Sequence, residues 1–398
     1  MSWDFVKLSD CCISISDGDH QPPPKADEGI PFVTISDITS YNQFNFENVM
    51  YVPDEYYESL DEKRKARMGD VLYSVVGSYG IPILIKEPQK FVFQRHIAIL
   101  RPNTNVDSRY LYYAMKNPTF YAHADSVAIG AAQKTISLSA LKDLKIPLPP
   151  LPIQRRIADI LSAYDDLIEN NQRQIKLLEE AAMRLYREWF VFMRFPGHES
   201  VRIVDGVPEG WEKKKVSSIM KFVKGKNLGD VSFEKLDGYE KLLLLDGLES
   251  DVTTYGCAEK QVLAKDGDIL MLMDGARSSH TFITDAGIVG STLSLIEITE
   301  NQIPVSYVKG YFDANLNLFV NNNTGSAIPH ANRKFIEGSD ILIPNLQLLE
   351  NYDNISGVFL KRVRSLNHMN QQLRISRDAL LPRLMNGGEG LKLEGGAV

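Results

Sequence analysis

The chain has 398 residues, of which 44% are hydrophobic and 24% charged; this is globular composition with room for two ordinary domains, and it excludes a disordered, collagenous or purely coiled-coil chain. Lys and Arg total 44 against 51 Asp and Glu, so the net charge is −7 and any contact with nucleic acid must come from local patches or partners. Cys11, Cys12 and Cys257 lack zinc or redox spacing, the N-terminus has no signal-peptide pattern, and no apolar run approaches the ~18 residues of a membrane span, so a soluble cytoplasmic chain is expected.

In chain order, residues 1–150 read as a mixed, strand-rich domain. The Gly69-Asp70 turn leads into a strand over 71–76, and Ile97 and Ile99 alternate as in a half-buried strand. Residues 151–196 read as one long helix. Its seam is Ile157, Leu161, Tyr164, Ile168, Asn171, Ile175, Leu178, Ala182, Leu185, Trp189 and Phe192, spaced alternately four and three apart, which buries a stripe against another helix. Pro152 suits its start and Pro196-Gly197 its stop, giving about 42 residues, or roughly 60 Å.

Residues 197–344 read as a second mixed domain with a strand over 269–273. Residues 345–387 read as a second long helix, with seam Phe359, Val363, Leu366, Asn370, Leu373, Arg377, Leu380 and Leu384; Gly357 and Pro382 weaken it locally. The Gly-rich 388–398 reads as a flexible tail. Asn171 and Asn370 each interrupt a seam, and either a buried, register-fixing role or an exposed one suits them.

The halves repeat. Trp3-Asp4 returns as Trp211-Glu212, Gly69-Asp70-Val71-Leu72 as Gly267-Asp268-Ile269-Leu270, Gly77 as Gly275, Ile97 and Ile99 as Leu293 and Leu295, and Gly130 as Gly325. Asp143, Ile146 and Pro147 match Asp340, Ile343 and Pro344 at an offset of 197. The expected fold is α+β: two pseudo-symmetric strand-rich domains separated by two long helices that form an antiparallel coiled coil.

Catalytic motifs are missing. There is no Walker loop, no H-E-x-x-H and no dinucleotide fingerprint. Asn117-Pro118-Thr119-Phe120 resembles the loop with which adenine methyltransferases hold a flipped base, but it lacks the second proline and a cofactor loop, so a helix-ending turn is expected. The seven histidines form no ligand set by spacing, and no metal is expected.

Several loops instead carry side chains suited to phosphates and base edges. In the first half these are His20, Gln21 and Lys25; Ser78 and Tyr79; Gln94, Arg95 and His96; and Gln133 and Lys134. In the second they are Lys224, Lys226 and Asn227; Arg277, Ser278, Ser279 and His280; and His330, Asn332, Arg333 and Lys334. Their equivalent placement after Gly77 and Gly275, and after Gly130 and Gly325, favours a binding role over a merely solvated surface.

The run from Ile146 to Ile157, with Pro147-Leu148-Pro149-Pro150-Leu151 and Gln154, followed by Asp165-Asp166 and Asn170-Asn171, resembles the central conserved region of type I restriction-modification specificity subunits. Arg377-Asp378 through Pro382-Arg383 to Gly387 resembles that family's C-terminal repeat. The resemblance implies a non-catalytic subunit with target recognition domains at 1–150 and 197–344, each reading half of a split double-stranded DNA target. The conserved helices at 151–196 and 345–387 would be spacer and docking site. It further implies two methyltransferase subunits binding S-adenosylmethionine, and restriction subunits using ATP and Mg, with no cofactor in this chain. Half-site centres about one helical turn apart, roughly 34 Å, suit such a spacer. The second helix start, Ile343-Pro344-Asn345-Leu346, departs from the first. The alternatives are a specificity subunit of a related phage-defence modification system, a coiled-coil adaptor that reads no DNA, and an enzyme in its own right.

Overall fold

The computed structural model describes residues 3–39, 41–131, 133–244 and 253–387; the tail expected over 388–398 lies outside the described residues. The chain divides into two compact units, Met1–Leu167 with Leu373–Val398, and Ile168–Gln372.

In the first unit, strands Cys12–Asp17, Ile97–Pro102, Val71–Ser74 and Pro82–Leu84 form an antiparallel sheet in that spatial order. A second sheet orders Met50–Val52, Ile30–Val33 and Val92–Phe93, the last two parallel. Strand period two divides the side chains between two cores. Val71, Tyr73, Ala98 and Leu100 join Tyr110 and the helices, while Leu72, Ile97 and Ile99 pack on Val33 and Phe93 of the second sheet. The strand over 97–100 is therefore buried on both faces, not half-buried as its alternation suggests, because helices cover one side and a sheet the other.

The second unit repeats the plan. Met220–Lys224, Leu293–Ile298, Ile269–Leu272 and Thr281–Ile283 form the four-stranded sheet, and Tyr239–Leu243 runs parallel to Gly287–Val289 in the other. Leu72 lies opposite Ile99 as Leu270 lies opposite Leu295. The buried Tyr110 hydroxyl donates to the Pro147 carbonyl at 2.6 Å, and the buried Tyr307 hydroxyl to that of Leu342.

This last pair corrects the sequence match at offset 197. Val6 faces Ile146 as Lys214 faces Ile341, and the long helices begin at Leu151 and Leu346, so Ile146 and Ile341, like the two helix starts, are 195 apart. The true counterpart of Pro344 is thus Pro149, and Ile146 matches Ile341. A two-residue slip leaves strand faces unchanged, which is why the apolar pattern alone did not expose it.

The first long helix runs Leu151–Tyr186 and continues as a π-helical turn, Arg187–Val191; the second runs Leu346–Met385 with Pro382 inside its last turn. The π turn changes the phase of the seam. Tyr186, Trp189 and Phe190 are buried, whereas Phe192, expected on the seam, is 56% exposed. Within the first unit Ile157 and Leu161 share a core with Leu381 and Leu384, and Arg377 pairs with Asp165. Within the second, Asn171 donates to Asn370 at 2.8 Å and Tyr186 meets Tyr352 edge-on at 6.2 Å. Partners rise along one helix as they fall along the other, so the pairing is antiparallel. Both Asn side chains are buried, which resolves their alternative in favour of the seam.

Candidate nucleic-acid interface

The first unit gathers most of its singled-out loops along one edge. Strand 12–17 runs out at Gly18, whose amide donates to the Ile97 carbonyl at 3.1 Å; the Asp19 amide follows to Phe93 at 2.8 Å, and the Arg95 amide returns to Asp19 at 2.9 Å. Val75 donates to His96, Ile136 to Val75 and Gly77 to Lys134, at 2.8, 2.9 and 3.1 Å. Segments 18–21, 93–96, 74–80 and 129–136 thus lie side by side. His20, Gln21, Gln94, Arg95, His96, Ser78, Tyr79, Gln133 and Lys134 belong to this row. Lys25 does not: it sits on another edge, beside Ala26, whose amide donates to Tyr51.

The second unit builds the same row. Gly225 donates to Leu293 at 3.0 Å, Met273 to Thr292 at 2.8 Å, Ala331 to Met273 at 2.8 Å and Gly275 to Pro329 at 2.9 Å. Lys224, Lys226, Asn227, Arg277, His280 and His330 come together here.

Sequence reading missed what sets the row. A Cβ on Gly18 would lie 2.3 Å from the Phe93 carbonyl oxygen, and one on Gly225 would lie 2.2 Å from those of Val289 and Gly290. Each glycine lets the departing strand cross against the parallel strand. The pair's separation of 207, close to the offset of the tryptophans, was the available signal.

The side chains differ between the rows. In the first, Tyr79 stacks on Tyr121 with ring centroids 6.0 Å apart and donates to Asp125, which also pairs with Lys134 at 2.7 Å. Hydrogen bonds from Lys134 and Tyr79 hold the Asp125 carboxyl below its ordinary pKa. His20 pairs with Asp17 at 2.8 Å. Arg95 and Gln133 are exposed, with guanidinium and amide directed to no described partner, and suit guanine and adenine edges respectively.

In the second row, His330 and Lys224 lie 2.7 and 3.7 Å from Asp274, Lys226 donates to the Lys260 carbonyl, and the Arg277 guanidinium lies over Phe282. Three residues on the sequence list shape backbone instead. Ser278 and Ser279 are buried and both bond to Asn323 at 2.7 Å; Ser279, at φ 74°, holds the left-handed position that Gly80 holds in the first row. Asn332 caps helix Arg333–Gly338 by accepting from the Phe335 amide. On that helix Arg333 pairs with Glu337, while Lys334 is exposed.

Asn117 also acts as a cap, accepting from the Thr119 amide at 3.1 Å, so the methyltransferase-like tetrapeptide is a helix junction. Among the described residues no three His, Cys, Asp or Glu side chains are placed to hold a metal, and no helix is long and apolar enough to cross a membrane.

A row of donors and acceptors thus recurs in both units, on one backbone frame and with different side chains. Residues 2–180 match the family model for the type I restriction modification DNA specificity domain. The chain is 25% identical over 407 residues to the type I restriction enzyme MjaIX specificity subunit of Methanocaldococcus jannaschii, covering 97% of this chain and 93% of that one. It is 28% identical over 245 residues to the putative MjaX specificity subunit of the same organism, covering 58% and 56%. In fold it resembles the crystal structure of the type I restriction-modification system S subunit from M. genitalium, with a TM-score of 0.59 at 15% identity over 96% of each chain. The chain is thus similar over nearly its whole length to type I restriction enzyme specificity subunits, and its first part carries the match to their DNA specificity domain.

Proposed function

We propose that each domain reads one half of a bipartite double-stranded DNA target, and that the paired helices space the domains and dock two methyltransferase subunits. The observation that carries this is the recurrence of one backbone row in both units with different side chains upon it. A shared frame supports equivalent docking on DNA, while Tyr79 and Arg95 against Arg277 and Lys226 supply different base-edge chemistry. This chain is the non-catalytic member of the assembly. S-adenosylmethionine would be bound by the methyltransferase subunits, and ATP and Mg by restriction subunits; much of the phosphate contact would come from those partners, in keeping with the net charge of −7.

Long-read methylation mapping tests the proposal in cells expressing this chain with its neighbouring methyltransferase gene, beside cells lacking only this chain. Adenine methylation at one split motif, lost with the chain, is expected. Methylation unchanged by its loss would leave the helix pair as an adaptor that reads no DNA.

A further inference from the structure

Each domain is also braced to the helix pair by ion pairs remote from the reading row, and the two braces have opposite polarity. Ile85 and Thr284 are equivalent: Gly69 donates to Ile85 as Gly267 does to Thr284, and Ile85 donates to Asp70 as Thr284 does to Asp268. The next residue is Lys86 in one domain and Asp285 in the other. Lys86 pairs with Asp166 of the first long helix at 3.1 Å. Asp285 takes Arg364 at 3.0 Å and His368 at 2.8 Å from the second long helix, with Lys241 of its own domain at 3.7 Å; Arg364 also reaches Asp266 at 2.8 Å.

The helix side is inverted at two of three places, since Arg173, the counterpart of His368, keeps its sign. At the 195-residue offset Asp166 corresponds to Lys361, and Glu169 to Arg364. A domain carrying Lys at this place would meet Arg364 and His368 on the second helix, and one carrying Asp would meet Asp166 on the first. The second brace is the stronger, since Asp285 and Arg364 are each 27% exposed, whereas Lys86 and Asp166 are 40% and 64% exposed and better screened.

We propose that Lys86–Asp166 and Asp285–Arg364–His368 are positional keys: they seat each recognition domain on its own stretch of the helix pair, and their opposite polarity bars either domain from the other's place. Lys86 and Asp285 are thereby positioning residues for DNA reading. The inference uses the recognition function only for its consequence, and its test does not involve DNA.

Amide hydrogen exchange of the full chain reads the seating directly. Asp285→Lys is expected to speed exchange of the second helix over 360–369 by about tenfold, and adding Arg364→Glu with His368→Glu is expected to restore most of the protection. A chain whose second domain is replaced by a copy of the first supplies the other arm. That copy should protect 360–369 when it carries Lys86→Asp and fail to when it keeps Lys86. Unchanged exchange in Asp285→Lys, no recovery on reversing the helix charges, or equal protection by both copies would each overturn the keys while leaving the reading function untouched.

Discussion

At residue scale the row of loop segments depends on two places where no side chain fits. The atoms that a Cβ on Gly18 or Gly225 would strike are backbone carbonyl oxygens of a strand paired on its other side, so they cannot yield as a side chain could. Gly18→Ala and Gly225→Ala are each expected to cost about 2–3 kcal/mol, read as a lowered midpoint in thermal unfolding of the full chain. Equal tolerance of alanine at both would show that the strand exits are loose. Asn323 is a second case of this kind. Asn323→Ala strands the buried Ser278 and Ser279 hydroxyls and is expected to cost about 1–3 kcal/mol, with the loss concentrated in the second unit.

At element scale the helix pair is held by apolar seams with a few polar exceptions. Asn171→Leu alone leaves the Asn370 amide buried beside an alkyl group and should destabilise by about 1–3 kcal/mol; Asn171→Leu with Asn370→Leu should recover that loss or exceed it, at the expense of a single register. Urea midpoints of the three variants decide it. Asp165 has a pH signature. Burial works to raise its carboxyl, but Lys116, Arg377 and the Tyr113 hydroxyl outweigh burial and hold it below its ordinary 3.8. A depressed carboxyl stabilises the fold fully above 3.8 and loses that contribution as pH falls through the depressed value. Asp165→Asn should therefore lower the urea midpoint at about pH 7, by a margin that narrows at about pH 3.

The long helices were legible at this scale because a heptad repeat is a local property of the sequence. Their ends were less so. Phe192 continues the spacing but leaves the seam, since the π turn at Arg187–Val191 turns Trp189 and Phe190 inward to meet Tyr352. Gln154 illustrates a different gap. It accepts from the Asp107 amide and donates to the carbonyls of Asn105 and Pro149, pinning a loop of its own unit, while its counterpart Leu349 is buried in an apolar core. The departure of the second helix start from the first is thus a local exchange of a polar pin for packing.

At the scale of the whole molecule, duplication allows the two rows proposed to read DNA to be tested separately. Arg95→Ala is expected to relax the first half of the methylated motif and leave the second intact, by about 1–3 kcal/mol of discrimination at one base pair; Arg277→Ala should do the converse. Methylation mapping of both variants checks this, and a motif unchanged in both would remove these arginines from base reading. Repeat, helix pattern and candidate loops followed from the sequence, because recurrence, heptads and turn glycines are encoded in residue order. Only the tertiary structure decided that the offset before each helix is 195, that Ser278, Ser279 and Asn332 serve the backbone, that Lys25 lies off the row, and that Asn171 meets Asn370. These outcomes depend on which segments far apart in the chain come together, and strand period, which a two-residue slip leaves unchanged, carries no record of that.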